Sequence, residues 1–233
     1  MRPTKYPKKN LIELFYKKKV LTMQQVINKT GCAKMTAWRI LSSHSHGYLT
    51  SYNFNATYYT LADIPEFDNH GLWTFKKVRF SKYGSLTNTV TQLICHSTTG
   101  MEKREVEEIL NVNTAQIVAK LFQKGSINRK KINGIFFYFN PNNTKMEKQL
   151  KARQTERMEK MALLLPEPEQ IIAVLVDIIQ HPQSKSHPYQ IYQRLSIEGI
   201  EGEGEGEGIK ITPDEIKAIL LYYNLSKKKR LKY

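Results

Sequence analysis

Apolar positions along the chain alternate between helical spacing and strand-like runs, and the alternation divides the sequence into units. Leu11, Leu14 and Phe15 share one face of an opening helix that has Lys8, Lys9, Lys17, Lys18 and Lys19 at its two ends. Thr22 with Gln25 three residues on is a capping-box pattern, and Met23, Val26 and Ile27 give the next helix one apolar face. Gly31 ends it. Over residues 33–43 a third helix puts Ala33, Ala37, Ile40 and Leu41 on one stripe, which predicts that Lys34, Met35, Trp38, Arg39 and Ser42 point away from the core. After Gly47 the character changes. Residues 48–52 and 57–61 are rich in Thr, Tyr and Leu, flank Asn53-Phe54-Asn55-Ala56, and read as a β-hairpin without a single Lys or Arg.

The same order then returns. An acidic, turn-rich connector (63–71) and a short strand candidate (73–80) lead into helices over 86–95, 102–110 and 114–124. Two strands, 127–132 and 135–139, are joined by Asn133-Gly134, the dipeptide best suited to the positive backbone angles of a type I′ turn. Aligning Asn111 with Gly31 sets Val118 at the place of Trp38 and Ala119 at that of Arg39. The second unit therefore reads as a support or dimerisation domain whose hairpin cations, Arg129, Lys130 and Lys131, touch phosphate, with base contact by Thr114 and Gln116 as the alternative. Residues 142–165 read as a charged connecting helix with Glu-Lys pairs at i, i+4. Residues 166–233 read as a C-terminal helical domain: an apolar helix from Ile171, a short helix near Tyr189, and a helix opened by Thr212-Pro213-Asp214-Glu215. Inside it the Glu-Gly run 198–208 has almost nothing apolar to bury, and a disordered loop is expected. The expected fold class is mainly α with small β-hairpin wings, a tandem winged helix-turn-helix (1–62 and 72–141) plus the helical domain.

Charge changes this picture more than composition does. The net charge is +15, and residues 1–62 alone hold ten Lys and Arg against one acid. Residues 63–141 carry +4 and the remainder +2, so the surface suited to a polyanion falls in the N-terminal third. Two cysteines and no long apolar run point to a reducing compartment, no membrane span, and a cytoplasmic, nucleoid-associated location. Cys32, Cys95 and the histidines lack metal-ligand spacing, so neither metal nor cofactor is expected. No phosphate loop, nucleophile elbow or His-Glu-x-x-His is present, which argues against an enzyme.

The residues that carry chemistry are those of the third helix. Arg39 can donate two hydrogen bonds to a guanine edge, Lys34 can reach phosphate or guanine, and Trp38 can lie against sugar and backbone. Residues 31–41 resemble the Gly-Val-Ser-x-x-Thr-Val-x-Arg-x-Leu pattern of prokaryotic winged helix-turn-helix DNA-binding regulators through Gly31, Thr36, Arg39 and Leu41. Cys32 and Ala33 depart from it, and the loss of Ser removes a cap. The two-unit plan is also similar to antitoxin-type and mobile-element-associated DNA-binding proteins and to plasmid replication initiators. The resemblance implies sequence-specific binding of double-stranded DNA through Lys34, Met35, Thr36, Trp38, Arg39 and Ser42. It also implies a role in transcription regulation or control of a mobile element, and a homodimer as one way of pairing reader helices. The lysines Lys17, Lys18 and Lys19 are expected to hold phosphate. The alternatives are a replication-initiator-like DNA-binding protein, or a protein-interaction scaffold.

Overall fold

Two residues in the left-handed backbone region, Gly31 (φ 68°) and Asn111 (φ 50°), end corresponding helices and mark an internal repeat. The structure is a computed structural model that describes residues 8–182, 187–198 and 210–225. The Glu-Gly run beyond Glu198 and the basic tail 227–232 lie outside the described residues. The described chain is mainly α-helical with small antiparallel sheets.

The first unit runs α1 (Lys8–Lys18), β1 (Leu21–Thr22), α2 (Met23–Thr30), α3 (Lys34–Ser42), β2 (Tyr48–Thr50), β3 (Tyr58–Leu61). Its sheet has the order β1-β3-β2, and the hairpin pairs Tyr48 with Leu61 and Thr50 with Tyr59. Thr22 and Gln25 form the reciprocal capping box that opens α2. Leu11, Phe15, Val26, Ala37, Leu41 and Leu61 are buried together, each large side chain contributing about 1.5–3 kcal/mol by leaving water.

Next comes a hairpin where a single strand was expected: β4 (Leu72–Phe75) and β5 (Val78–Ser81), with Phe75 opposite Val78. The turn between them is Lys76-Lys77, and Lys76 takes φ 56°, a conformation usually given to Gly or Asn. Two lysines send no turn signal, which is why the sequence reads as one strand.

The second unit repeats the path: α4 (Leu86–His96), β6 (Met101–Glu102), α5 (Lys103–Leu110), α6 (Ala115–Gln123), β7 (Asn128–Ile132), β8 (Ile135–Phe139), with sheet order β6-β8-β7. Asn133 (φ 49°) and Gly134 (φ 88°) make the turn between β7 and β8 with both angles positive, as expected. Strand β6 and helix α5 stand 80 residues after their counterparts, but α6 starts 81 residues after α3, because the turn before it is one residue longer.

The two units are held together at main-chain atoms. The Tyr52 N–H donates to the Arg79 carbonyl (2.9 Å), and the Asn53 side chain bonds the Lys77 carbonyl and the Arg79 N–H. From this junction the Tyr52 hydroxyl donates to the Leu110 carbonyl (3.2 Å) and the Arg79 guanidinium to the Asn111 carbonyl (2.8 Å). Tyr52 also packs against the core of the second unit, and burial pushes its hydroxyl up to about 12.

Helix α7 (Asn143–Ala162) is the charged helix expected from the i, i+4 pairs, but it is not solvated all round: one side of its second turn is anchored. Gln149 is buried and its amide donates to the carbonyls of Ile94 and Ser97 while its oxygen accepts from Asn140 N–H. The chain divides into two bodies, Met1–Lys151 and Ala152–Tyr233. The second contains α8 (Pro168–Gln180), α9 (Pro188–Glu198) and α10 (Pro213–Tyr222) around Val174, Ile191, Ile216 and Ile219. Asp177, buried on α8, takes a two-pronged bond from Arg194 of α9 (2.6 Å each), which satisfies a carboxylate that burial alone would penalise.

Candidate nucleic-acid interface

Helix α3 is amphipathic in the sense expected. Ala37 and Leu41 are fully buried, whereas Lys34, Met35, Arg39 and Ser42 are exposed and Thr36 is half-buried. Met35, an apolar side chain 65% exposed, has no partner in the core to explain its place. Ala33 differs from the expected stripe: it is the N-cap, exposed, and offers no side-chain cap, although the Thr36 N–H turns back to the Ala33 carbonyl (2.9 Å). Buried Cys32 takes the inward place instead, and the Thr30 hydroxyl bonds its sulfur (3.0 Å).

Trp38 corrects the sequence reading. Its indole is half-buried and meets the rings of Tyr48 and Tyr59 edge-on, at 5.3 and 5.4 Å between centroids. The ring is a packing bridge from α3 to the hairpin β2–β3, which explains how that hairpin, lacking any cation, stays docked. Trp38 therefore fixes the helix that presents Arg39, with only part of its ring left to solvent.

The lysines at the end of α1 are exposed as expected, but the structure does not gather them with α3. Lys17 and Lys18 open onto a groove shared with Lys29, Lys76 and Lys77, and no residue of α3 lines it. Lys19 turns the chain out of α1 in left-handed conformation (φ 63°), with its carbonyl taken by the Thr60 hydroxyl. From α1, Tyr16 donates to Asp63 (2.5 Å), and His44 approaches the same oxygen (3.4 Å). Burial works to raise the Asp63 carboxyl, but the hydrogen bonds from Tyr16, its own backbone and His44 outweigh it and hold it below its ordinary range. The connector's first acid is thus taken up within the protein.

In the second unit the longer turn changes the register. Val118 is buried as Ala37 is, Ala119 stands at the place of Trp38, and exposed Lys120 stands where Arg39 does. Matching Asn111 to Gly31 runs one residue early over this helix, which puts Ala119 in the place of Arg39 and hides the cation. Thr114 is fully buried, so base contact from it is excluded, whereas Gln116 is exposed on the outward face. Arg129, Lys130 and Lys131 are exposed on β7. The guanidinium of Arg129 sits between the rings of Phe122 on α6 and Phe136 on β8, at 4.2 and 4.3 Å, which joins helix and hairpin through a cation held on two π-faces.

Among the described residues no three His, Cys, Asp or Glu side chains converge as a metal site would require. Cys32 and Cys95 are free thiols, and burial raises the Cys95 thiol. No helix among the described residues is long and apolar enough to cross a membrane. Sequence reasoning passed over Lys29, on the regular helix α2, and Phe54, Lys76, Lys77 and Lys120, whose placement depends on a turn geometry or a one-residue shift. No protein-family model, curated protein or solved structure matches the chain.

Proposed function

We propose that this protein binds double-stranded DNA, that each repeated unit is a winged helix, and that α3 is the element that enters the major groove. The observation that carries the reading is the outward face of α3. Lys34, Met35, Arg39 and Ser42 stand in solvent on a helix anchored from behind by Ala37 and Leu41, and Trp38 braces it against the hairpin. Arg39 forms no ion pair with any described residue, so its five donors are available to a guanine edge. Lys34 and the uncapped first turn suit phosphate.

One reader helix spans too few base pairs for useful specificity, so a second contact is needed. The second unit, held in the same body with Lys120, Arg129, Lys130 and Lys131 exposed, supplies it in this reading. The role that fits is regulatory, at a promoter or within a mobile element, and involves no chemical step.

The test is a titration of the full chain against a selected duplex and a random one at several salt concentrations. Affinity should fall steeply with salt. Arg39→Ala should weaken the selected site by about 1–3 kcal/mol and leave random duplex almost untouched. A response flat in salt would assign the chain to protein partners instead. A footprint two half-sites long, with light scattering at twice the monomer mass, would replace the second unit by a second copy.

A further inference from the structure

A groove of ≈ 790 Å³ runs between the end of α1, the edge of α2 and the turns of the two hairpins. Five lysines line it: Lys17 and Lys18 from α1, Lys29 from α2, and Lys76 and Lys77 from the β4–β5 turn, with no Asp or Glu among the lining residues. None of the five is held in an ion pair with a described residue. Five ammonium groups around one concavity repel one another, and no carboxylate among the lining residues offsets that repulsion.

Phe54, Tyr58 and Phe75 interleave with these cations. Phe54 is 51% exposed, meets Tyr58 edge-on at 5.8 Å, and stands on an unusual backbone. Phe54, Asn55 and Ala56 take φ 49°, 53° and 56°, three successive left-handed residues none of which is Gly. Each such residue costs about 1–2 kcal/mol in an L-chain, so strained backbone here lifts an apolar ring into water. On the other hairpin, Lys76 is left-handed as well, and its ammonium lies 5.8 Å from the Phe75 ring. Phe75 in turn stacks on Trp73 at 5.7 Å and 26°.

From this arrangement we propose that the groove is a binding site for single-stranded nucleic acid, distinct from the duplex face of α3. Lysines that track a backbone, with aromatic faces between them, are what an unpaired strand needs: phosphate meets ammonium, and each base has a π-face for a ring. A duplex keeps its base faces stacked on one another and cannot use Phe54 in this way. The α3 face shows the complementary absence, since its only aromatic residue, Trp38, is engaged with Tyr48 and Tyr59. The inference rests on the groove alone and stands or falls independently of the duplex reading.

The test is fluorescence anisotropy of the full chain with a labelled oligothymidine, and separately with a blunt random duplex of equal length. Phe54→Asn removes the ring while supplying a residue that tolerates left-handed backbone, so the fold is kept. It should weaken oligothymidine about tenfold or more and leave the duplex within about twofold. Lys76→Asn combined with Lys77→Ala should reduce the salt dependence for oligothymidine by close to two charges. Arg39→Ala should leave oligothymidine unchanged, which separates this site from that of α3. The proposal is overturned if Phe54→Asn binds oligothymidine as the parent does, or if it weakens strand and duplex alike. It is also overturned if the parent binds phosphatidylserine vesicles through Phe54 and ignores oligothymidine.

Discussion

In the unit of residues 8–61, cations stand at the end of α1 and on the outer face of α3, and the hairpin β2–β3 has none. In the unit of residues 86–139, the hairpin β7–β8 carries Arg129, Lys130 and Lys131, and α6 presents Gln116, Ala119 and Lys120. The chain path is the same in both, down to the strand order. What differs is how the third helix is locked to its hairpin. Trp38 does it from the helix side in the first unit, between two tyrosines, and Arg129 does it from the strand side in the second, between two phenylalanines. A shared topology fixes which face of that helix looks outward. It leaves open whether the lock is a cation held on π-faces or a ring packed between rings.

The comparison breaks most readily just before the first strand of each sheet. In the second unit Gly100 (φ +67°) precedes β6, and a Cβ there would lie within 3 Å of the Phe139 ring and 2.9 Å from the Tyr138 carbonyl. In the first unit the left-handed residue before β1 is Lys19. Gly100→Ala should cost about 3 kcal/mol, combining overpacking and strain, whereas Lys19→Gly should be neutral within about 0.5 kcal/mol. Thermal unfolding of both variants checks this; equal effects would mean that Gly100 and Lys19 tolerate a side chain equally well and that the contrast drawn between them is void.

Gln149 comes next, since the first unit has no counterpart to the docked start of α7. Gln149→Ala strands the Ile94 and Ser97 carbonyls and the Asn140 N–H, and should cost about 2 kcal/mol. Denaturant midpoints would measure the loss. A change within error would make the network ornamental.

A smaller effect tests the junction. Tyr52 ordinarily ionises near 10, and burial raises it to about 12, so the fold favours the neutral hydroxyl. Its stabilisation is complete below about pH 10 and is lost as pH climbs from there to about 12. Tyr52→Phe should lower stability by about 1 kcal/mol at neutral pH through the lost bond to Leu110 and should flatten that alkaline slope. Chemical denaturation at stepped pH reads both; an unchanged slope would place the alkaline loss elsewhere.

Smallest of all is Lys120→Ala. If α6 faces phosphate as its register suggests, affinity for every duplex should fall slightly and the salt slope should drop by about one. Loss at one selected sequence only would instead make the second unit a reader equal to the first.

Much of the fold is legible in the sequence because it is written in local chemistry. Thr22 with Gln25, Gly31, Asn133-Gly134 and Thr212-Pro213 each satisfy backbone groups within a few residues, so helix starts, a helix end and a turn can be read from neighbours alone. The face of α3 follows from periodicity. What escapes depends on distant partners or unusual backbone. Trp38 reads as a surface residue because Tyr48 and Tyr59 lie 10 or more positions away in sequence. The Lys76-Lys77 turn sends no Gly signal, the left-handed run 54–56 contains none either, and one extra residue before α6 displaces the alignment by a third of a helical turn.

The contacts of Tyr52 and Arg79 reach the carbonyls of Leu110 and Asn111, groups that every amino acid carries at the end of a helix. Point changes on α5 therefore leave the joint intact as long as the helix stops where it does. A single inserted or deleted residue within α5 would not be so forgiving. It would carry those carbonyls about 100° around the helix axis and about 1.5 Å along it, and with them the heading of the rest of the second repeat. The length of α5 acts as the angular setting between the two repeats, so over evolutionary time this helix should tolerate changed letters far more readily than a changed count.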